Sequence, residues 1–267
     1  RIRILLQNSE IVKSHANCHR VQDPYSLRCI PQVHGASRNA WLHLKETLLV
    51  EMNSVTDNPI IFNEHKTITG GHFHGQPIAL PIDYAALAAA ELGNIADRRI
   101  FLSMMESVPG LPKLLMEHTG LNSGFMISQY TSAALVSENK TLCFPASADS
   151  IPTSLGQEDH VSMGAVGARK ALRIVDNLEK ILGIELLTAS QGFEFRKPLK
   201  SGVLMNACHN LVRSNIEFAT EDRIFAYDIE KAIELIRSKQ LIALINQVAD
   251  DQGVKFKNEN HEIFGIY

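Results

Sequence analysis

Residues 163–187 read M-G-A-V-G-A-R-K-A-L-R-I-V-D-N-L-E-K-I-L-G-I-E-L-L. Val166, Leu172, Val175, Leu178, Ile181 and Leu182 recur there at helical spacing, and Arg169, Lys170, Arg173 and Lys180 fall opposite them. That is the pattern of one long helix with a buried stripe and a solvated face. Working upstream, residues 77–105 extend the theme. Their centre, from Tyr84 to Leu92, is rich in alanine and poor in charge, so this helix should be buried inside a helical assembly. Downstream of Asp228, the residues Ile229, Ile233, Ile236, Leu241, Leu244, Ile245 and Val248 form another stripe, with Asp228 placed to cap it and Glu230 in its first turn. Further helices are expected near residues 26–52, 125–140 and 201–218, with Pro31 kinking or delaying the first. The strand candidates are short, residues 2–6 and 59–62. The fold class is therefore all-α, a long-helix bundle.

Composition agrees. The 267 residues are 45% hydrophobic and 21% charged, which supplies a globular core and excludes a disordered chain. With 26 basic and 29 acidic residues the net charge is −3, so no overall attraction to nucleic acid or to an anionic membrane is expected. No run of 18 apolar residues is present, and no membrane span is expected. Cys18, Cys29, Cys143 and Cys208 are scattered without a C-x-x-C pair, as expected of reduced thiols in a cytoplasmic protein. The chain opens on Arg1 and its first methionine is Met52. A piece of something longer is expected.

Chemistry concentrates in three connections. Residues 21–29, V-Q-D-P-Y-S-L-R-C, place the amide of Gln22, the phenol of Tyr25 and the guanidinium of Arg28 at steps of three, on one face if helical. Arg28 suits bidentate capture of a carboxylate. Read alone, the same run is a helix start with Asp23 capping and Pro24 in the first position, and that alternative stays open. Residues 70–77, G-G-H-F-H-G-Q-P, flank Phe73 with glycines. Their His72-x-His74 pair lacks a placed third ligand and is a weak metal signal. Residues 152–163, P-T-S-L-G-Q-E-D-H-V-S-M, gather Glu158, Asp159 and His160 just before the long helix, where Asp159 or Ser162 could simply cap it. Residues 53–59, N-S-V-T-D-N-P, read as a structural helix exit and turn.

Taken in order, V-Q-D-P-Y-S-L-R-C, T-D-N-P, G-G-x-F-H-G-x-P and D-S-I-P-T-S-x-G-Q-E-D-H-V-S-M resemble the aromatic amino acid ammonia-lyase family, and within it the histidine-specific branch. The resemblance runs from the first twenty residues to about Pro198. It divides the chain into core helices over 26–198 and C-terminal helices over 199–267, and implies the helical bundle of the ammonia-lyase and aspartase type. Family members are about twice this length. Their electrophile, a methylidene-imidazolone, forms from an Ala-Ser-Gly triplet, and no such triplet occurs here. The resemblance thus implies a C-terminal half, inactive until an N-terminal half supplies that group, with no metal required.

The activity implied is elimination of ammonia from L-histidine to give urocanate, in a homotetramer whose sites draw on several chains. Arg28 would bind the substrate carboxylate, Gln22 would hydrogen-bond in the same site, and Phe73 would pack beside the substrate ring or the electrophile. Tyr25 and Glu158 would be the catalytic groups of this half, Glu158 facing either the amine or the imidazole. His72 and Gln76 depart from the usual asparagine and glutamate of that loop. A phenylalanine or tyrosine ammonia-lyase or an aminomutase is the alternative within the family. A non-enzymatic oligomerising subunit or a degenerate remnant is the alternative outside it.

Overall fold

The structure, a computed structural model, describes residues 1–18, 20–105, 108–254 and 256. The helices are α1 (Ile2–Leu5), α2 (Glu10–Ser14), α3 (Tyr25–Arg28), α4 (Ile30–Met52), α5 (Gln76–Ser103), α6 (Met126–Leu142), α7 (Gly164–Glu194), α8 (Val203–Asn215), α9 (Phe225–Arg237) and α10 (Gln240–Asp251). An antiparallel hairpin, β1 (Ile60–Asn63) and β2 (Lys66–Ile68), pairs Ile60 with Ile68 and Ile61 with Thr67. The all-α class is as the sequence predicts.

The chain divides into two compact units. The first comprises Arg1–Ile30, Gly93–Val136 and Glu179–Tyr267, the second Pro31–Leu92 and Ser137–Leu178.

The core of the first unit gathers Ile100 of α5, Met104 just after it, Leu115, Phe125, Ile181, Ile184 and Leu187 of α7, Val212 of α8 and Leu235 of α9. The Phe125 and Phe225 rings meet with centroids 4.3 Å apart. Helix α7 comes so near α9 that a Cβ on Gly183 would lie 2.7 Å from Ile233 Cγ1, which explains a glycine in mid-helix despite its cost there. Several buried polar groups in this unit are paired. Gln191 donates to the Leu115 and Ala219 carbonyls at 3.2 and 2.8 Å and accepts from the Ala219 amide at 3.2 Å. Arg99 grips Glu185 with two nitrogens. Asp97, fully buried, accepts from Ser132 Oγ at 2.8 Å.

In the second unit α5 buries its alanines from Ala79 to Ala90. Along the same helix Leu80, Tyr84 and Leu87 form an exposed stripe, the face that burial in a larger helical assembly would have to cover. Helix α5 is long and apolar enough by length and composition alone to cross a membrane, with half of the relevant window buried within the protein. Helices α6 and α7 join through Asn177 Nδ2, which donates to Asn139 Oδ1 at 2.9 Å and Glu138 Oε2 at 3.0 Å, while Arg173 Nε reaches Glu138 Oε1 at 3.1 Å.

Other expectations shift for physical reasons. Residues 2–6 form a helical turn, not a strand, because Leu5 and Leu6 break the two-residue alternation and Ile2, Leu5 and Leu6 fit one turn. The single helix expected from Asp228 is two, α9 and α10, parted at Lys239 with φ 58°. The step from Ile236 to Leu241 is five residues, too long for one stripe of 3.6-residue period, and the break resets the phase. Asp228 does not cap α9. It lies within its first turn, buried, and accepts from Arg223 Nε at 2.8 Å. On α7 the stripe is rotated from the expected one: Val166 and Leu172 are exposed and Ile174 is fully buried.

Candidate functional site

The run 21–29 folds differently from the helix the spacing invites. Pro24, not Asp23, stands at the cap of α3, and the amides of Leu27 and Arg28 donate to the Pro24 carbonyl at 3.0 Å. Gln22 lies before the helix. It nonetheless reaches the same cluster, because Arg28 Nη1 donates to Gln22 Oε1 at 2.5 Å and the guanidinium sits 4.9 Å from the centroid of the Tyr25 ring. A planar fork lying over an aromatic face and tethered at one nitrogen is oriented without being buried. Tyr25 is 70% exposed, so its phenol is open to a reactant. These residues belong to the first unit.

Phe73 and Glu158 belong to the second unit. The loop before α7 closes on itself. The Thr153 amide donates to the Glu158 carbonyl at 2.9 Å, and the hydroxyls of Thr153 and Ser154 donate to Glu158 Oε2 at 2.6 and 2.7 Å. Those hydroxyls hold the Glu158 carboxyl below the usual carboxylate range, Thr153 contributing most. Neither uses Oε1, which is left to face a ligand. To make the curl, Ser154 and Leu155 both take left-handed backbone, at φ 48° and 58°. The end of the loop is pinned separately, the Val161 amide donating to Ser150 Oγ at 2.8 Å. Helix α7 starts on Met163, whose carbonyl accepts from Val166 and Gly167, so neither Asp159 nor Ser162 holds the cap position.

The glycine loop is anchored at both ends. The Gly70 amide donates to Asn58 Oδ1 at 3.0 Å, which gives the T-D-N-P turn the structural part expected of it. At the other end, His74 accepts the Gln76 amide on Nδ1 at 3.2 Å and donates from Nε2 to the His160 carbonyl at 2.9 Å. With one nitrogen accepting and the other carrying the proton, His74 has no lone pair to offer a metal. Among the described residues no group of three or more His, Cys, Asp or Glu side chains could hold a metal ion.

Thus the structure gathers Gln22, Tyr25 and Arg28 into one cluster, and sets Phe73 and Glu158 on adjoining loops of the other unit. Sequence reasoning missed Thr153 and Ser154, whose signal is a hydroxyl pair four and five residues ahead of a glutamate. It also missed the second use of His74, for which the sequence suggests a polar turn ahead of a helix or, more weakly, a metal ligand. Two open grooves of about 680 and 690 Å³ lie in the first unit and contain none of the five expected residues.

The profile of the aromatic amino acid lyase family matches residues 1–214. A histidine ammonia-lyase of Natranaerobius thermophilus is 53% identical over 244 residues, covering 91% of this chain and 48% of the relative. The crystal structure of histidine ammonia-lyase from Trypanosoma cruzi superposes with TM-score 0.86 at 41% identity, over 99% of this chain and 48% of that one. Tyrosine aminomutase from Streptomyces globisporus superposes with TM-score 0.83 at 34% identity, over 92% and 51%. The chain spans about half the length of the curated relatives it matches. Its four ordered motifs, its helical architecture and these matches agree, and the chain belongs to the aromatic amino acid lyase family.

Proposed function

We propose that the chain is the C-terminal half of a histidine ammonia-lyase, a cytoplasmic homotetramer that eliminates ammonia from L-histidine to give urocanate. The observation that carries the reading is the 53% identity to a histidine ammonia-lyase across nearly the whole chain. The aminomutase alternative has less behind it, at 34% identity to the structural neighbour of that activity.

The electrophile of the family activates the amino acid toward loss of ammonia. Its Ala-Ser-Gly source lies outside these 267 residues. The groups present here suit holding a substrate beside it. Arg28 presents its fork to the substrate carboxylate, with Gln22 and the Tyr25 ring setting the plane. The exposed Tyr25 phenol can hold substrate or pass a proton. Phe73 packs against the substrate ring. Glu158, kept ionised by two hydroxyls, offers Oε1 to the amine or to the imidazole N–H. The exposure of Tyr25 in one unit, and of Phe73 and Glu158 in the other, supports sites that residues outside this chain complete.

The test is urocanate absorbance with L-histidine, using the chain alone and the chain mixed with the N-terminal half of a relative. Turnover in the mixture and none alone is the expected result. Turnover by the chain alone would sink the two-half reading, and silence in a verified complex would favour a non-enzymatic remnant.

A further inference from the structure

His74 follows Phe73 in the chain, and it does more than end a turn. Because Nδ1 accepts the Gln76 amide, the ring proton must sit on Nε2, and Nε2 donates it to the His160 carbonyl, two residues beyond Glu158. The two imidazoles lie parallel within 6°, their centroids 5.7 Å apart. One residue on, the backbone itself approaches. A Cβ at Gly75 would stand 2.7 Å from Ser162 Oγ and 3.7 Å from Ser162 Cβ, so the two loops approach closely there.

The bonds inside the acidic loop have a different effect. Thr153, Ser154 and Ser150 fix the shape of residues 150–161 but bond only to that same segment. They do not tie it to the Phe73 loop. The His74 bond, the ring stack and the Gly75 approach join the two loops directly, within three residues of chain on the one side and three on the other, beside the approach of Gly164 to Ala79 where α7 and α5 begin. An imidazole is well suited to the task. It is rigid, and it carries an acceptor and a donor on opposite sides of one ring, so it can hold its own loop and reach the next at once.

We propose that His74 is a positioning residue that locks the Phe73 loop to the Glu158 loop, fixing aromatic ring and carboxylate in one register. Its bearing on catalysis rests on the reading that Phe73 and Glu158 serve one site; the lock itself does not.

The experiment is amide hydrogen exchange on the 267-residue chain, read at Thr153 and Val161, whose amides bond within the acidic loop. His74→Asn keeps an acceptor near the Nδ1 position and has no atom where Nε2 stands. It should speed exchange at both amides about fivefold, the order expected when one ordinary hydrogen bond is lost. His74→Gln restores a donor of the right reach and should return the rates toward the parent. Amides in the middle of α7 serve as the folding control and should not change. Unchanged rates at Thr153 and Val161 in His74→Asn overturn the proposal, and so does a His74→Gln variant as fast as His74→Asn. No turnover enters the measurement. Failure of the lyase reading would appear elsewhere, as a silent urocanate assay beside an intact exchange pattern.

Discussion

The two charged groups proposed to serve catalysis are held in opposite ways. Arg28 stands on a four-residue helix, with one nitrogen on Gln22 and its plane over Tyr25, and nothing in that arrangement prevents adjustment to a ligand. Glu158 closes a loop through its own carboxylate, with two hydroxyls on one oxygen and a backbone bond beside them. The cation is aimed and the anion is pre-set. A group that only has to capture a carboxylate can swing, whereas one that handles a proton has to keep both its position and its ionisation.

Four measurements on the enzyme completed with its other half would break or sharpen that contrast, the third of them read also on the chain alone. The largest effect belongs to Arg28→Lys, because a point charge cannot replace the fork. kcat/KM for L-histidine should fall roughly thirtyfold or more, about 2 kcal/mol for a lost charge-assisted bond. A fall under about fivefold would remove the carboxylate role. Glu158→Gln comes next. Its amide oxygen can still accept from Thr153 and Ser154, so thermal unfolding should not move while turnover drops about tenfold or more, mostly in kcat. An unchanged rate would take away the reason for assigning a proton or amine role to this loop.

The third measurement concerns pH. The carboxyl of Glu158 lies below its ordinary value because the folded loop favours the ionised form, Thr153 first and Ser154 second. The contribution of those hydrogen bonds is therefore complete above the ordinary carboxylate range and is lost as pH falls through the lowered value. Thr153→Val should raise the carboxyl toward its ordinary value, and the acid limb of activity should move to higher pH. Carbon-13 NMR of the Glu158 carboxyl in the chain alone reads the same shift without turnover. A limb that stays put would mean the hydroxyls are incidental. The smallest effect is expected of Gln22→Ala, about threefold in KM with kcat nearly constant, since it frees the fork without removing it. A large loss of kcat there would mean that the cation, too, is pre-set.

How much of this could be read from the chain depends on how many residues each signal spans. Helices α5 and α7 are long, and their repeated small and apolar residues predict both starts within one residue, although α7 runs on past the expected end at Leu187 to Glu194. The break between α9 and α10 was written in a single five-residue step, easily absorbed into a longer stripe. Gln22, Tyr25 and Arg28 do come together, but not by sharing a helical face: Gln22 reaches Arg28 from the extended run before α3. The link from His74 to His160 spans 86 positions, and local spacing carries no trace of a bond between two loops so far apart in sequence. Only the fold brings them together.

Leu155 has a practical consequence for anyone wishing to make the protein sturdier. It holds a left-handed backbone with its side chain wholly in solvent, beside the two hydroxyls that serve Glu158. A leucine there carries a conformational cost of about 1 kcal/mol that glycine or asparagine would largely avoid. Replacing it removes no packing and no bond to the carboxylate. Most stabilising changes near a site exchange function for rigidity. This position offers a place where the chain can be relaxed while the Glu158 carboxylate keeps its setting.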